Sequence, residues 1–172
     1  MDNPFRFDPQ KALEVILYIA EKIDIKDIYH IQKTLYFADK EHLENYGRFI
    51  CGDRYIAMKD GPVPSRVYDI IKDVRDNRNT QNILDAKESF SVDGYRIIPH
   101  REANRNFFSK SDLKCLDISI REIGSMPFGR LKDLSHDAAY ETADMNGEIS
   151  VFEIAKNLKD ADALIEYLEE CV

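Results

Sequence analysis

Apolar residues recur every three or four positions along the first quarter of the chain, and this spacing predicts two helices. Asp8 followed by Pro9 is typical of a helix cap and a first helical position, so we predict the first helix over about residues 9 to 23. We predict the second and longest helix from Lys26 to Tyr46, with Gly47 placed to end it in the left-handed conformation.

The next segment combines a short β-prone run, residues 55 to 58, with the proline-containing sequence 60 to 64. Because two prolines oppose regular structure, the second stretch is predicted to be a rigid loop. Pro64 suits the first turn of a third helix that fades by residues 77 to 79, and its apolar face would be formed by Val67, Ile70, Ile71 and Val74.

A β-hairpin is predicted after a polar surface connection over residues 79 to 89. With Asp93-Gly94 as a two-residue turn, Val92 would face Tyr95 and Phe90 would face Ile97 on one side, and Ser91 and Arg96 would lie on the other. A lone hairpin is only marginally stable, so we expect it to pack its aromatic face on helices and to gain residues 55 to 58 as a third strand.

The C-terminal half is predicted to be helical. Ser109-x-x-Asp112 is typical of a capping box that begins a fourth helix, and Gly124 follows as its stop. A further helix begins near Pro127 and carries Leu131, Leu134 and Ala138, and the last helical region begins at Ser150 and breaks near Asp160. The fold class is therefore α+β and predominantly α-helical: one compact domain over residues 1 to 172, with a small antiparallel hairpin or three-stranded sheet.

Net charge and cysteine spacing indicate which class of partner and which cellular compartment to expect. The chain has 172 residues and a formal net charge of −8, without a run of five or more basic residues, which argues against nucleic acid as a partner. Three cysteines far apart in sequence form neither a disulfide framework nor a CxxC motif, so we expect a reducing cytoplasm. Residues 1 to 4 lack a basic region before an apolar stretch, and the longest apolar run, residues 15 to 20, is too short for a membrane span.

Ser135-His136-Asp137 has the residue types of a hydrolase triad but not its geometry. Consecutive helical side chains point about 100° apart, so the three cannot align as nucleophile, base and orienter. His136 is instead interpreted as a hydrogen-bonded packing residue, although a base with Tyr140 one turn later is the alternative. The chain also lacks a GxSxG elbow, a glycine-rich phosphate loop and an HExxH pair. We therefore expect a protein that is not an enzyme.

Asp39 and His42 are spaced i, i+3 on the second helix and could share a metal with Cys51. A fourth ligand is missing and the set mixes hard and soft donors, so an exposed helix face is the favoured interpretation. We expect neither a metal nor a cofactor. Cys115, beside Leu113 and Leu116, is interpreted as a small buried thiol.

Several short motifs occur in a fixed order along the chain: Lys33-Thr34-Leu35-Tyr36-Phe37-Ala38-Asp39, Tyr46-Gly47, Gly52-Asp53-x-Tyr55-x-Ala57, Gly61-Pro62-Val63 and Leu134-Ser135-His136. This ordered set resembles the Panacea family of SocA-like antitoxin domains, whose members are often described as phage-associated or prophage proteins. The resemblance runs from about residue 11 to residue 155. The chain departs from it at Tyr140, where the family often carries Trp.

The resemblance implies a mainly helical antitoxin of a two-gene toxin-antitoxin system, which neutralises a cognate protein toxin from an adjacent gene by direct binding. It also implies an alternative role as an adaptor that delivers a toxin or another protein to a ClpXP-type protease. A phage-borne interaction module for another partner is a second alternative. An enzyme that uses His136 with Asp39, His42 or Asp53 is the third class, and the absence of a catalytic motif disfavours it.

The candidate partner-binding residues come from the matched motifs and their surroundings: Tyr36, Asp39, Asp53, Tyr55, Gly61, Pro62, Val63, His136 and Tyr140. Gly61 permits a positive φ and the prolines stiffen the segment, so Val63 would be presented by a loop that loses little entropy on binding. The alternatives are a plain lead-in to the third helix for this segment, a hydrogen bond within its own turn for Asp53, and the rim of the core for the tyrosines.

Overall fold

Helices and two small antiparallel sheets make up a computed structural model that describes residues 3–172. This confirms the predicted α+β, mainly helical class. Residues 1 and 2, which belong to the segment predicted to lack an export signal, lie outside the described residues. The helices are α1 (Pro9–Lys22), α2 (Ile28–Tyr46), α3 (Ser65–Arg75), α4 (Ala86–Ser89), α5 (Lys110–Ile123), α6 (Phe128–Ser135), α7 (Ala138–Glu141), α8 (Val151–Ala155) and α9 (Ala161–Glu170). The strands are β1 (Tyr55–Met58), β2 (Gly61–Pro64), β3 (Phe90–Asp93), β4 (Arg96–Pro99) and β5 (Glu148–Ile149).

The helix ends follow the local capping signals. The Asp8 carboxylate accepts the Lys11 amide at 3.0 Å before α1, and Gly47 ends α2 in the left-handed conformation at φ 74°. The Ser109–Asp112 capping box before α5 is confirmed. The start of α2 differs from the prediction: Asp27 caps it, so the helix begins at Ile28, two residues later than predicted. The break before α9 is confirmed at Asp160, which has φ 51°.

The predicted loop over residues 60 to 64 is wrong, because Gly61–Pro64 form strand β2, paired antiparallel with β1. The sheet order is β2-β1-β5, so β2 lies at an edge. Pro62 and Pro64 stand opposite Ala57 and Tyr55, while the amide of the next residue, Ser65, donates to the carbonyl of Arg54, the residue before β1, at 2.8 Å. Ladder bonds alternate along an antiparallel pair, so both prolines occupy positions whose nitrogen points away from β1.

The second sheet is the β3–β4 hairpin, and its register differs from the prediction by two residues. Its turn is Gly94-Tyr95, with Gly94 at φ 62°, so that Val92 pairs with Ile97 and Phe90 pairs with Pro99. An even shift keeps the paired side chains on their predicted faces, and Phe90 and Ile97 are fully buried as expected. The predicted burial of Tyr95 opposite Val92 is wrong, because Tyr95 lies in the turn and is 80% exposed. The expected third strand is absent among residues 3–172, because β1 pairs with β2 and β5 instead.

The core consists of two clusters of buried side chains. The first surrounds α1, which is buried along most of its length against α2, α3 and α5, and the second joins α2 to β1, α8 and α9. A fully buried acid, Glu14, faces this first cluster and pairs with Arg101 at 2.7 Å. The connection over 79 to 89 is not purely a surface segment, because it contains α4 and buries Ile83.

The segment after α5 is interrupted more often than the apolar spacing predicts. The helix predicted from Pro127 through Ala138 ends at Ser135, and Asp137 then caps the separate short helix α7 by accepting the Tyr140 amide at 3.0 Å. This break turns the chain back toward β1, where the Tyr140 hydroxyl donates to the Met58 carbonyl at 2.7 Å. The helix α7 is thereby fixed against the three-stranded sheet.

Candidate partner-binding site

A cavity of about 260 Å³ opens between the first turns of α2, the β1–β2 hairpin, α3 and the turn of the β3–β4 hairpin. The α2 residues at positions 28, 29, 32 and 33 line it together, because a spacing of four places side chains on one helical face. Its walls are mainly apolar and aromatic, formed by Ile28, Tyr29, Met58, Val63, Tyr68 and Tyr95. Such a mixture of apolar walls and a few polar groups is typical of a binding cavity.

Lys33 is the polar group at the back of this cavity. Its side chain is fully buried, and its ammonium donates to the Pro62 carbonyl at 2.7 Å and lies 4.6 Å from the centre of the Tyr29 ring. Burial lowers the pKa of Lys33 to about 7, against the opposing effect of the Asp60 charge. An ammonium has three donor hydrogens, so the contact with Pro62 leaves Lys33 with further hydrogen-bonding capacity.

Gln32 is the second buried polar group of the cavity. The residue is only 4% exposed, and its Nε2 has no hydrogen-bond partner within the described part of the chain. A buried donor without an acceptor costs free energy. Gln32 therefore adds an unused donor next to Lys33.

Exposed aromatic side chains continue from the cavity onto the surface. Tyr95 is 80% exposed at the hairpin turn, and Phe128 is 49% exposed with its ring centre 4.4 Å from that of Tyr29. We call Tyr29, Tyr68, Tyr95 and Phe128 the aromatic patch. Contiguous exposed apolar surface of this kind marks interaction sites.

Three of the residues suggested by sequence, Tyr36, Asp39 and Tyr55, form one buried network. Asp39 accepts the Ile50 amide at 2.7 Å and the Tyr55 hydroxyl at 2.6 Å, and the rings of Tyr36 and Tyr55 lie 5.0 Å apart. The Tyr36 hydroxyl donates to Asp137 at 2.7 Å. Burial raises the pKa of Asp39 to about 7, although both hydrogen bonds lower it. The network joins α2 to β1 and to α7.

Asp53 caps α3 from a distance. Its carboxylate accepts the backbone amides of Arg66 and Val67, at 3.0 and 2.8 Å, and that of Arg54 in its own turn at 2.7 Å. The residue before α3, Pro64, offers no side-chain cap. Burial raises the pKa of Asp53 to about 6, against the lowering effect of these amides. The suggested hydrogen bond within its own turn is therefore one of three.

The Gly61-Pro62-Val63 segment lies against α2 and α6 as strand β2. Gly61 has φ 119°, and a Cβ there would lie 2.4 Å from the Ser135 hydroxyl and 2.9 Å from a side-chain carbon of Lys33. Only glycine fits this close approach. Val63 is 8% exposed and lines the cavity, so it forms a wall of the cavity rather than the tip of a loop.

Comparison with protein-family models matches residues 31–141 to the Antitoxin SocA-like, Panacea domain. The chain belongs to the SocA-like Panacea family. The matched span is shorter than residues 11 to 155, over which the motifs suggested it. Searches among curated proteins and solved structures gave no match. The name of the family is consistent with an antitoxin role and points to a protein partner and to a non-enzymatic activity.

Within this Panacea domain the motif positions serve to hold α2 to three other elements. Lys33, Asp39 and Tyr36 fasten α2 to β2, β1 and α7, and the Ser135 side chain lies against Gly61. These contacts also shape the cavity, because Lys33 and β2 form part of its wall. The sequence motifs thus mark the framework of the site.

His136 and Tyr140 stack beside that framework, with ring centres 4.3 Å apart and an angle of 18° between the planes. His136 ends α6 as its C-cap and is partly exposed, and its Nε2 lacks a hydrogen-bond partner in the described chain. The interpretation of His136 as a packing residue is confirmed by the stacking on Tyr140, but the expected hydrogen bond is wrong for this ring nitrogen. The Ser135 hydroxyl donates to the carbonyl of Lys132 at 3.0 Å. The consecutive Ser-His-Asp residues therefore make separate contacts and do not form a triad, as predicted.

The favoured placement of Asp39 and His42 on an exposed helix face is wrong, because both side chains are fully buried between α2 and its neighbours. The His42 ring bonds to the Arg48 carbonyl and to the Ser111 hydroxyl, each at 2.9 Å. Residues 3–172 contain no group of three or more His, Cys, Asp or Glu side chains arranged to hold a metal.

Cys115 is a buried free thiol, as predicted. Among the described helices, none is both long and apolar enough to cross a bilayer.

The parts of the site that depend on tertiary structure could not be predicted from the sequence. Gln32, Tyr95 and Phe128 carried no signal in the sequence, because they come from two helices and a turn that only the fold brings together. The nearest sequence signal was the high tyrosine content around the second helix and the proline segment, which includes Tyr29 and Tyr68. That signal located the region but not the cavity.

Proposed function

We propose that this protein is an antitoxin that binds a cognate protein toxin, encoded by an adjacent gene, through the aromatic patch and the mouth of the cavity. The exposed rings at the cavity mouth, in a chain of an antitoxin family, carry the proposal. The activity is placed in the cytoplasm, where the free thiols of Cys51, Cys115 and Cys171 are stable. Protection by this route needs complementary surfaces and no catalytic group.

The patch has the properties of an interface centre. Tyr95 and Phe128 expose large rings beside a concave surface, and truncation of such aromatic anchors typically costs about 2 kcal/mol or more of binding free energy. The backbone of Tyr95 is fixed by the two-residue hairpin turn, and the ring of Phe128 packs on Tyr29. A surface that is already ordered loses little entropy when it binds.

The rim of the cavity carries charges of both signs. Lys59 and Arg75 line it beside Asp60, whose carboxylate pairs with Lys132 at 3.1 Å. Mixed charges around an aromatic centre are typical of protein interfaces, whereas a surface that neutralises phosphates is uniformly basic. The rim therefore favours a protein partner.

We further propose that the elements outside the matched span belong to the same domain. Most side chains of helix α1 between Ala12 and Ala20 belong to the core cluster that also contains residues of α2 and α5. Leu168 of α9 is fully buried in the second cluster, together with Leu43 of α2. Both termini thus share apolar cores with the matched part.

The test is co-expression with the product of the adjacent reading frame, scored for growth and for co-purification. Tyr95→Asp places a charge on the patch without entering the core, and Leu84→Asp is its matched control because Leu84 is 93% exposed and lies outside the cavity lining. We expect rescue and a stable complex with the unchanged chain and with Leu84→Asp, and loss of both with Tyr95→Asp.

The other outcomes contradict the proposal in distinguishable ways. Rescue by Tyr95→Asp equal to that by Leu84→Asp would remove the aromatic patch from the interface. Rescue without a complex, together with a fall in toxin level that requires an unfoldase-protease, would establish proteolytic delivery in place of neutralisation. If the product of the adjacent reading frame does not slow growth when it is expressed alone, it is not a toxin and the proposed partner is wrong.

A further inference from the structure

The cavity contains hydrogen-bond donors for which the protein supplies too few acceptors. The Lys33 ammonium has one, the Pro62 carbonyl, and the Gln32 Nε2 has none within residues 3–172. Both side chains are more than nine-tenths buried, so bulk water does not simply replace the missing partners. The cavity is therefore suited to a ligand that brings acceptor oxygens.

The charge around Lys33 favours an anion. The charged groups that line the cavity with it are Lys59, Asp60 and Arg75. The single acid, Asp60, is paired with Lys132 of α6, and its backbone carbonyl accepts the Tyr29 hydroxyl at 3.0 Å. A protonated Lys33 consequently has a charge that its surroundings do not balance.

The walls of the cavity determine the size and polarity of the part of the ligand that carries no charge. A cavity of about 150 Å³ lined by apolar side chains is large enough for a benzene ring, and this one has about 260 Å³. Ile28, Met58 and Val63 supply aliphatic surface, and the tyrosines supply ring faces. An aromatic or branched aliphatic group with a short acidic arm matches both the size and the lining.

We propose that this cavity binds a carboxylate carried on a small apolar body, with Lys33 and Gln32 donating to the carboxylate oxygens and the aromatic walls enclosing the apolar part. The inference rests on the cavity and not on the toxin-binding function. The same chemistry has two sources, a free aromatic acid or the C-terminal carboxylate of a peptide ending in an aromatic residue. Separate probes distinguish them.

The first experiment uses the purified full chain alone and follows backbone amide shifts by NMR. The probes are 3-phenylpropionate, its uncharged amide, and a tetrapeptide ending in Phe with either a free or an amidated C-terminus. We expect saturable shifts at Gln32 and Lys33 with the acids, and binding of each acid at least about tenfold tighter than that of its amide at pH 6. Preference for the free acid or for the peptide identifies the source.

The second measurement needs no variant. Since burial gives Lys33 a pKa of about 7 and a bound carboxylate favours its charged form, affinity for the acid falls about tenfold from pH 6 to pH 8. The amide shows no such fall. The groups near Lys33 that bear on this profile are Asp60 and Lys59 of the β1–β2 turn, Arg75 of α3, Lys132 of α6, the three cavity tyrosines, and His30 on α2, which is bonded to Asp27 and to the Met126 carbonyl.

Variants then test the assigned donors. Lys33→Met removes the charge at similar length and should weaken acid binding at least about tenfold at pH 6, while Lys87→Met, on an exposed part of α4, should leave it unchanged. Equal binding of acids and amides, a pH-independent affinity for the acids, or no saturable binding to the unchanged chain would each overturn the proposal. None of these results depends on whether the toxin binds.

Discussion

Replacing Asp39 by Asn should change how the stability of this protein depends on pH. The carboxyl group is fully buried, and burial raises its pKa to about 7 from an ordinary value of 3.8. Between these values the folded chain holds a proton that the unfolded chain has lost, so the free energy of unfolding falls as pH rises. A difference of about three pH units corresponds to about 4 kcal/mol, lost between about pH 4 and pH 7.

Asparagine removes the titration and keeps the shape. Its oxygen still accepts the Ile50 amide, and the Tyr55 hydroxyl can turn to accept from the new amide nitrogen. All other ionisable groups are common to both proteins and cancel in the comparison. Relative to the unchanged chain, the Asp39→Asn variant should therefore gain about 3 kcal/mol of stability as pH is raised from 4.5 to 7.5, because part of the unfolded-state titration already lies below pH 4.5.

Urea denaturation followed by far-UV circular dichroism at several pH values measures this difference. The exposed carboxylate of Asp24 provides a matched control, because Asp24→Asn should leave the difference from the unchanged chain constant across the same range. A constant difference for Asp39→Asn as well would show that the buried carboxyl ionises as freely in the folded state as in the unfolded chain. The assignment of its pKa to burial would then be refuted.

Three further substitutions test local packing and charge by thermal or urea denaturation. Gly61→Ala places a methyl group against a hydroxyl 2.4 Å away and should cost about 2 kcal/mol or more, while the control Gly94→Ala, with nothing within 4 Å, should cost about 1 kcal/mol from its positive φ alone. Asp53→Ala removes the cap of α3, costs about 2 kcal/mol, and should speed amide exchange in that helix's first turn. Arg101→Met leaves the Glu14 carboxylate buried without its cation and should cost about 3 kcal/mol, an effect reduced when Glu14→Gln is added.

Features set by a few neighbouring residues could be predicted from the sequence. Asp8 before Pro9 fixed the start of α1, and the Ser109–Asp112 box fixed the start of α5, because a cap is satisfied within one turn. The break at Asp160 and the end of α2 at Gly47 are equally local. The family followed from short motifs in a fixed order, and the mainly helical class followed from apolar spacing within single helices.

Features set by neighbours distant in sequence could not be predicted. A proline disrupts a strand only where its missing N–H would have donated a ladder hydrogen bond. At the edge of a sheet no such bond is required on the open side, so residues 61 to 64 form β2. Asp39 and His42 were placed on the surface because their residue types are polar, whereas α2 lies between α5, the β1–β2 sheet and α8 and is buried on several sides. The cavity itself joins Gln32 to Tyr95, and no periodicity in the chain relates those two positions.

The two prolines of β2, whose nitrogens point away from β1, have a consequence for assembly. An edge strand usually offers free backbone groups that another chain can use to extend the sheet. Here the prolines at 62 and 64 have no N–H to offer, and the Pro62 carbonyl is already occupied by Lys33. The β2 edge of this sheet is thus closed to β-augmentation and to edge-to-edge aggregation, so a partner that reaches it must recognise side chains rather than add a strand.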